Sequence, residues 1–208
     1  MSKPIIIIGK GGHSKVIKDI IETTQQYYIV GYLDNAINEY YTEENIFYDS
    51  LDNIKQYKDD YLFIIAIGNN HVRKKLFNQL EIKIEQYATL IHPTAIVSPS
   101  ARIGNGTVVM PNAVVNADSI VGKHAIVNTG AIIEHDNQIG DYVHISPNAT
   151  LAGGVKVGEA SHIAINAAVI PLVEIGKRCV VGAGATVINN VKSESTVVGT
   201  PAKIKEWI

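Results

Sequence analysis

From Val97 onward an aliphatic residue returns at every sixth position without a slip. The series runs Val97, Ile103, Val109 and on through Val181 and Val187, sixteen hexads in all. A period of six fits neither a helix nor the two-residue alternation of a strand. It fits a solenoid whose chain turns a corner every six residues and sends one aliphatic side chain inward from each face.

A second inward series lies four residues after the first. It includes Thr107, Ala113, Ser119, Ala131, Asn137, Ala149, Ser161, Cys179 and Ala185, and is mostly small or apolar, as a thin interior requires. Three residues after the aliphatic, ten of the sixteen positions are Gly, Asn or Asp. These types tolerate positive φ, so that position is the predicted corner. Glycine directly follows the aliphatic at 104, 122, 140, 158 and 176, a spacing of eighteen. Eighteen is three hexads, so each coil has three faces and the solenoid is a triangular prism. With strands about 4.8 Å apart, about five coils make a column of roughly 25 Å. Three buried aliphatics per coil contribute roughly 5–9 kcal/mol before chain entropy is counted. The spacing does not fix the hand. Val108, Val114, Ile126 and Ile132 are aliphatics outside both inward series. They predict a face buried against another subunit.

Composition divides the chain in two. Nine of ten Tyr and all three Phe precede residue 90, because a narrow prism has no room for rings. The net charge of −2 and the absence of a long basic run argue against a nucleic-acid partner. The single Cys179 excludes an internal disulfide and falls in an inward series, where it reads as a small core residue. No signal-peptide pattern and no apolar run near eighteen residues occurs, which predicts a soluble cytoplasmic protein with no membrane partner.

The first ninety residues read as a small α/β unit. Pro4–Ile8, Tyr28–Leu33 and Tyr61–Ile67 are short apolar runs that predict parallel strands. Ser14–Gln25 and Asn70–Leu80 carry apolar residues at helical spacing, and Ala88–Ile91 predicts a last strand leading into the prism. Residues 35–60 are polar and Tyr-rich, without a clear period. The alternation predicts a Rossmann-like half-fold. Three loops then fall at carboxyl ends of strands, where open α/β sheets bind ligands. They are Gly11-Gly12-His13 within Gly9–Ser14, Asp34-Asn35, and Gly68-Asn69. The first opens a helix whose amides can face a phosphate. Its sixth position is Ser14 rather than glycine, which disfavours NAD. Asp34 can contact a ribose or a uracil edge.

Taken together, several motifs resemble the sugar acyltransferases of the sialic acid O-acetyltransferase type, and most closely the bacterial UDP-4-amino-sugar N-acetyltransferases. They are Gly11-Gly12-His13, Asp34-Asn35, Ala66–Asn70, Ile91-His92, Asn128-Thr129, Ile133–Asp136, His144–Ser146, Ala152-Gly153 and Val198–Lys203. The resemblance covers nearly the whole chain. It implies a left-handed parallel β-helix after the α/β unit, with domains at 1–90 and 91–192 and a tail at 193–208. It also implies a homotrimer, a nucleotide sugar in the first domain and acetyl-CoA in the groove between neighbouring prisms.

The resemblance also assigns roles. Acetyl transfer to an amine needs a base, because an ammonium cannot attack a thioester. His135 takes that position among seven histidines. Asp136 follows where the family usually has Glu, and that carboxylate orients the ring and raises its basicity; Glu134 is a second candidate for the role. His144 contacts acetyl-CoA near the thioester, and Gly153, Ile165 and Ala183 lie along the pantetheine arm. Gly11, Gly12, His13, Asp34, Asn35, Gly68 and Asn69 hold the nucleotide sugar. Lys177, Arg178, Lys192, Lys203 and Lys205 are cations available to the CoA 3′-phosphate. His162, eighteen residues after His144, stacks one coil away, where two rings about 5 Å apart resist double protonation. His92 reads as a structural residue of the domain junction and His71 as solvent-facing.

Three other readings stay open at this point: O-acetylation of a sugar such as a sialic acid, a zinc enzyme of the carbonic anhydrase type, and a non-catalytic nucleotide-sugar binder. The zinc reading needs a histidine pair five residues apart, which the sequence lacks, so no metal is expected.

Overall fold

The computed structural model describes residues 2–205. Strand β1 (Lys3–Ile8) leads through α1 (Gly12–Thr24) to β2 (Tyr27–Asp34), then to β3 (Tyr41–Glu43), β4 (Ile46–Ser50), β5 (Leu62–Ile65) and α2 (Asn70–Leu80). The sheet order is β3-β4-β2-β1-β5, parallel except where β3 turns back against β4. Ile5–Ile8 at its centre is buried completely, as a strand covered on both faces must be.

The stretch 35–60 holds the hairpin β3–β4 and a 3₁₀ turn at Leu51–Gln56. Its organising contacts are rings rather than an apolar period. Tyr41 stacks on Tyr48 at 4.6 Å, and Tyr48 stacks on Tyr32 at 5.3 Å. The third predicted strand is shorter than expected, and of Ala88–Ile91 only Leu90–Ile91 is a strand, β6. It pairs with Val108–Val109 and is therefore the first rung of the prism.

Beyond β6 the chain winds as a left-handed parallel β-helix of two-residue strands. Face 1 carries Val108–Val109, Ile126–Val127, His144–Ile145, His162–Ile163 and Val180–Val181; face 2 runs from Ile96–Val97 to Thr186–Val187; face 3 runs from Arg102–Ile103 to Glu174–Ile175. Partners are eighteen residues apart, such as Val114 with Ile132, until the last coil, where Val180 pairs with Thr196. Thr196–Val198 extends face 1, and Lys203–Ile204 folds back antiparallel on it. Residues 206–208 of the expected tail lie outside the described residues.

The corner prediction holds at nine of its ten positions, which have positive φ; Asn190 is the exception. His124, Tyr142, Ala160, Leu172 and Arg178 adopt the same left-handed conformation. The repeat imposes that corner even on residues that disfavour it. The glycine ladder has a different cause. A Cβ on Gly104 would lie 2.6 Å from the Gly122 carbonyl carbon, and one on Gly158 equally close to Gly176. Backbone of the next coil occupies the space a side chain would need there.

The α/β unit docks on face 1. Ile17, Ile20 and Ile21 of α1 share a core with Val108, Met110 and Ile126. This corrects one expectation: Val108 and Ile126 are covered by the chain's own first domain, not by another subunit. Val114 and Ile132 stay partly exposed on face 2.

Candidate active site

The loops at the carboxyl ends of β1, β2 and β5 gather at one edge of the α/β sheet. Gly9 needs its glycine, with φ of 105° and Ile67 Cδ1 2.7 Å from a would-be Cβ. Gly11 and Gly12 have nothing within 4 Å of that position, so a ligand can reach their backbone. Gly11 caps α1 without any side-chain bond, which leaves the helix's first amides free for an anion. Asp34 accepts from Lys10 N at 2.6 Å and Ala36 N at 2.8 Å, which ties two loops together. Lys10 donates to Tyr41 Oη at 2.7 Å and lies 4.3 Å over the Tyr48 ring. Lys10, Gly11, Asp34, Asn38 and Tyr41 thus line a cleft of about 680 Å³. Asn35 is exposed beside it. Asn69 Oδ1 accepts from His71 N and Val72 N, so that side chain caps α2.

Arg73 was not singled out in the sequence, where it reads as one more polar helix residue. It is 1 % exposed. Its guanidinium donates to the carbonyls of Ile67, Gly68, His124 and Tyr142 and to Asn70 Oδ1. Asn70 in turn donates to the carbonyls of Ala160 and Ser161. The Gly68 loop is thereby bolted to three successive prism corners. The spacing of Asn70 and Arg73 on one helix face was the available signal.

Against this junction sit His13, His144 and His162. The rings of His144 and His162 stack at 4.9 Å. His144 Nε2 lies 3.0 Å from Asn128 Nδ2, its ring also bonds the backbone of Gly68, and Ser146 Oγ meets His162 Nε2 at 2.7 Å. Burial holds His144 down to about 3, with repulsion from His162, Arg73 and His13 adding to it. Burial and then Arg73 hold His13 down to about 4 and lower His162 as well. All three rings are neutral at physiological pH.

His135 lies elsewhere. It follows the face 2 strand Ile132–Ile133 and precedes the face 3 strand Gln138–Ile139, so it stands on the edge opposite face 1. Asp136 at the same corner has φ of 60°, which Asp tolerates. His135 Nδ1 and Asp136 Oδ2 are 2.8 Å apart and both side chains are exposed. The shorter carboxylate therefore reaches the ring directly. Its hydrogen bond raises the His135 pKa above the ordinary value; the charge of Asp136 and then that of Glu134 add to this. Gly153, one coil on, lies under the ring: a Cβ there would be 2.6 Å from His135 Nε2.

Ile165 and Ala183 lie on the edge between faces 1 and 2, both exposed. A single chain thus brings His13, Gly68 and His144 together but leaves His135 with Gly153 on one edge and Ile165 with Ala183 on another. Arg178 is ion-paired with Glu194. Cys179 is buried and His71 exposed. His92 Nδ1 is engaged by the Thr94 hydroxyl and backbone at the turn into the prism. Among the described residues, no group of three or more His, Cys, Asp or Glu is placed to hold a metal ion, and no helix is long and apolar enough to cross a membrane.

The chain is similar to several known proteins. Residues 4–80 match the family model of the PglD N-terminal domain. UDP-N-acetylbacillosamine N-acetyltransferase of Bacillus subtilis is 44% identical over 112 residues, 51% of this chain and 50% of its own; the chain is thus matched over about half the length of that curated relative. PerB of Caulobacter crescentus, solved in complex with CoA and GDP-perosamine, is 34% identical with a TM-score of 0.89 over 98% of this chain and 97% of its own. The acetyltransferase domain of PglB from Neisseria gonorrhoeae, solved with acetyl coenzyme A, is 34% identical with a TM-score of 0.88 over 99% and 100%.

Proposed function

We propose, since the chain belongs to the hexapeptide-repeat sugar acetyltransferases, that it moves the acetyl group of acetyl-CoA onto the 4-amine of a UDP-linked amino sugar in bacterial glycan biosynthesis. The single observation that carries the reading is the exposed His135–Asp136 pair, a basic imidazole with Nε2 free and glycine beneath it.

In the reaction the neutral amine attacks the thioester carbonyl while His135 Nε2 takes its proton. The tetrahedral intermediate collapses, the C–S bond breaks, and the proton passes to the leaving thiolate. Asp136, accepting from Nδ1–H, holds the tautomer that leaves Nε2 unprotonated. The nucleotide sugar lies across Gly11, Gly12, His13, Asp34, Asn35, Gly68 and Asn69, with its diphosphate at the open N-terminus of α1. Acetyl-CoA runs past His144, Gly153, Ile165 and Ala183. Its fit is supported by exposed apolar residues descending from His135: Ile170, Leu172 and Ile188.

The working unit is a homotrimer. The outward residues of face 2 are Ile96, Val114, Ile132, Thr150, Ala168 and Thr186, all uncharged, whereas face 3 presents Arg102, Lys156 and Glu174. Packing face 2 about a threefold axis sets the His135 edge of one chain beside the Ile165–Ala183 edge and junction loops of the next. Steady-state turnover of acetyl-CoA against UDP-4-amino sugars, GDP-4-amino sugars and sialic acids tests the assignment. Turnover restricted to a hydroxyl acceptor would favour the O-acetyltransferase reading instead.

A further inference from the structure

The prism interior contains a repeated polar device. Thr107, Ser119 and Ser161 occupy inward positions, and each hydroxyl donates to the carbonyl fifteen residues on: Gly122, Glu134 and Gly176, at 2.6–2.7 Å. Each also accepts from the amide eighteen residues on, at Ala125, Asn137 and Cys179. One hydroxyl thus stitches two coils, donating and accepting once each.

Asn137 occupies the same type of position directly beneath the His135 corner and departs from the pattern. It is fully buried. Its Nδ2 donates to the residue fifteen on, Ala152 O at 2.9 Å, as the hydroxyls do. The longer amide also reaches back to Glu134 O at 2.7 Å and His135 O at 3.2 Å. Its Oδ1 is buried without a partner. A buried acceptor with no donor costs stability. Ser would have satisfied both coils, and does so one coil earlier on the same edge at Ser119. The chain therefore holds a less satisfied residue at the one corner that carries His135, and the added contacts go to the two peptide carbonyls flanking that histidine's Cα.

We propose that Asn137 is the positioning residue of the acetyl-transfer base: from inside the prism it clamps the carbonyls of Glu134 and His135, fixing the corner so that His135 Nδ1 stays on Asp136 while Nε2 faces the acceptor amine over Gly153. This rests on His135 being the base. Asn137 touches no substrate and acts only through that corner. The charged groups facing the His135 ring are Asp136 and Glu134.

Two variants of the full-length assembled protein test it. Asn137→Ser restores the two-coil stitch of Ser119 but cannot reach both corner carbonyls; Asn137→Ala removes every contact. The measurements are melting temperature, the His135 titration midpoint by NMR with labelled histidine, and kcat and KM. In Asn137→Ser the melting temperature is retained, the His135 midpoint falls toward the ordinary histidine range, and kcat drops about ten- to a hundredfold with KM for acetyl-CoA unchanged. Asn137→Ala shows the same changes with a lower melting temperature. An Asn137→Ser protein that keeps both the wild-type midpoint and kcat overturns the proposal and leaves Asn137 a coil stitch. The titration is read without turnover. An active His135→Ala enzyme would therefore remove the base assignment while the midpoint still decided whether Asn137 holds the corner.

Discussion

His135 Nδ1 and Asp136 Oδ2 lie 2.8 Å apart, with Asp136 held at a left-handed corner that aims its short side chain at the preceding ring. Neighbouring side chains rarely meet this way, because extended backbone sends them to opposite sides. The corner reverses that direction and lets one residue tune the next. With Asp136 raising the His135 pKa, the neutral ring that the proposed proton transfer requires is expected to appear as pH rises through that raised value. Asp136→Asn removes the charge that favours imidazolium. The acid limb of the pH–rate profile then moves to lower pH, with a smaller loss of kcat than removal of the ring. An unmoved limb would assign the tuning to Glu134.

Substituting His135, the proposed base, is expected to have a larger effect. His135→Ala is expected to lower kcat about 10²–10⁴-fold, the usual worth of general-base catalysis. Its CoA affinity by calorimetry should be close to wild type. Retention of more than about a third of the activity would exclude His135 from proton transfer.

The α/β loops are expected to answer to a different ligand. A side chain at Gly12 meets open space within the protein, so Gly12→Val folds but blocks backbone approach to the diphosphate. UDP affinity in calorimetric titration should fall at least about tenfold, near 1.4 kcal/mol, with CoA affinity intact. Loss of CoA binding with UDP binding retained would reverse the assignment of the two domains.

His124 offers a stability test apart from catalysis. Both its ring nitrogens are buried without partners, in a box formed by Phe77, Tyr87 and Tyr142. Burial, with Arg73 and Lys123 adding to it, lowers its pKa to about 3. The folded pKa is depressed, so unfolded chains bind the extra proton; stability is full above about pH 6.5 and is lost as pH falls toward 3. His124→Phe should melt higher than wild type, by an amount that grows as pH is lowered from 6.5 to 4. A lower melting temperature at every pH would mean that His124 has a polar partner in solution.

The prism was legible because a six-residue period admits few solutions, and the corner pattern located His135, Asp136 and Gly153 on their coils. The half-fold was legible where apolar runs were long, as at Ile5–Ile8. The hairpin Tyr41–Ser50 was not, because ring stacking with Tyr32 organises it and leaves no period. Val108 and Ile126 read as an outer surface because their cover, α1, is distant in sequence. Arg73 was hard to read for the same reason: apart from Asn70 on its own helix, its partners are main-chain carbonyls up to 69 residues away, which no side-chain pattern records. Asn137 did leave a trace, as the one amide in an otherwise small or apolar inward series.

In the proposed trimer each site joins the nucleotide-sugar loops of one chain to His135 of another. Co-expressing Gly12→Val and His135→Ala chains under separate tags, then isolating mixed assemblies, tests this most directly. At low nucleotide-sugar concentration, each variant alone is expected to have little activity. A mixed cyclic trimer, of either composition, has about one site in three that pairs an intact Gly12 loop with an intact His135 from the neighbour. Recovery of about a third of wild-type turnover is therefore expected. Mixed assemblies no more active than their parents would contradict it and place the whole site within a single chain.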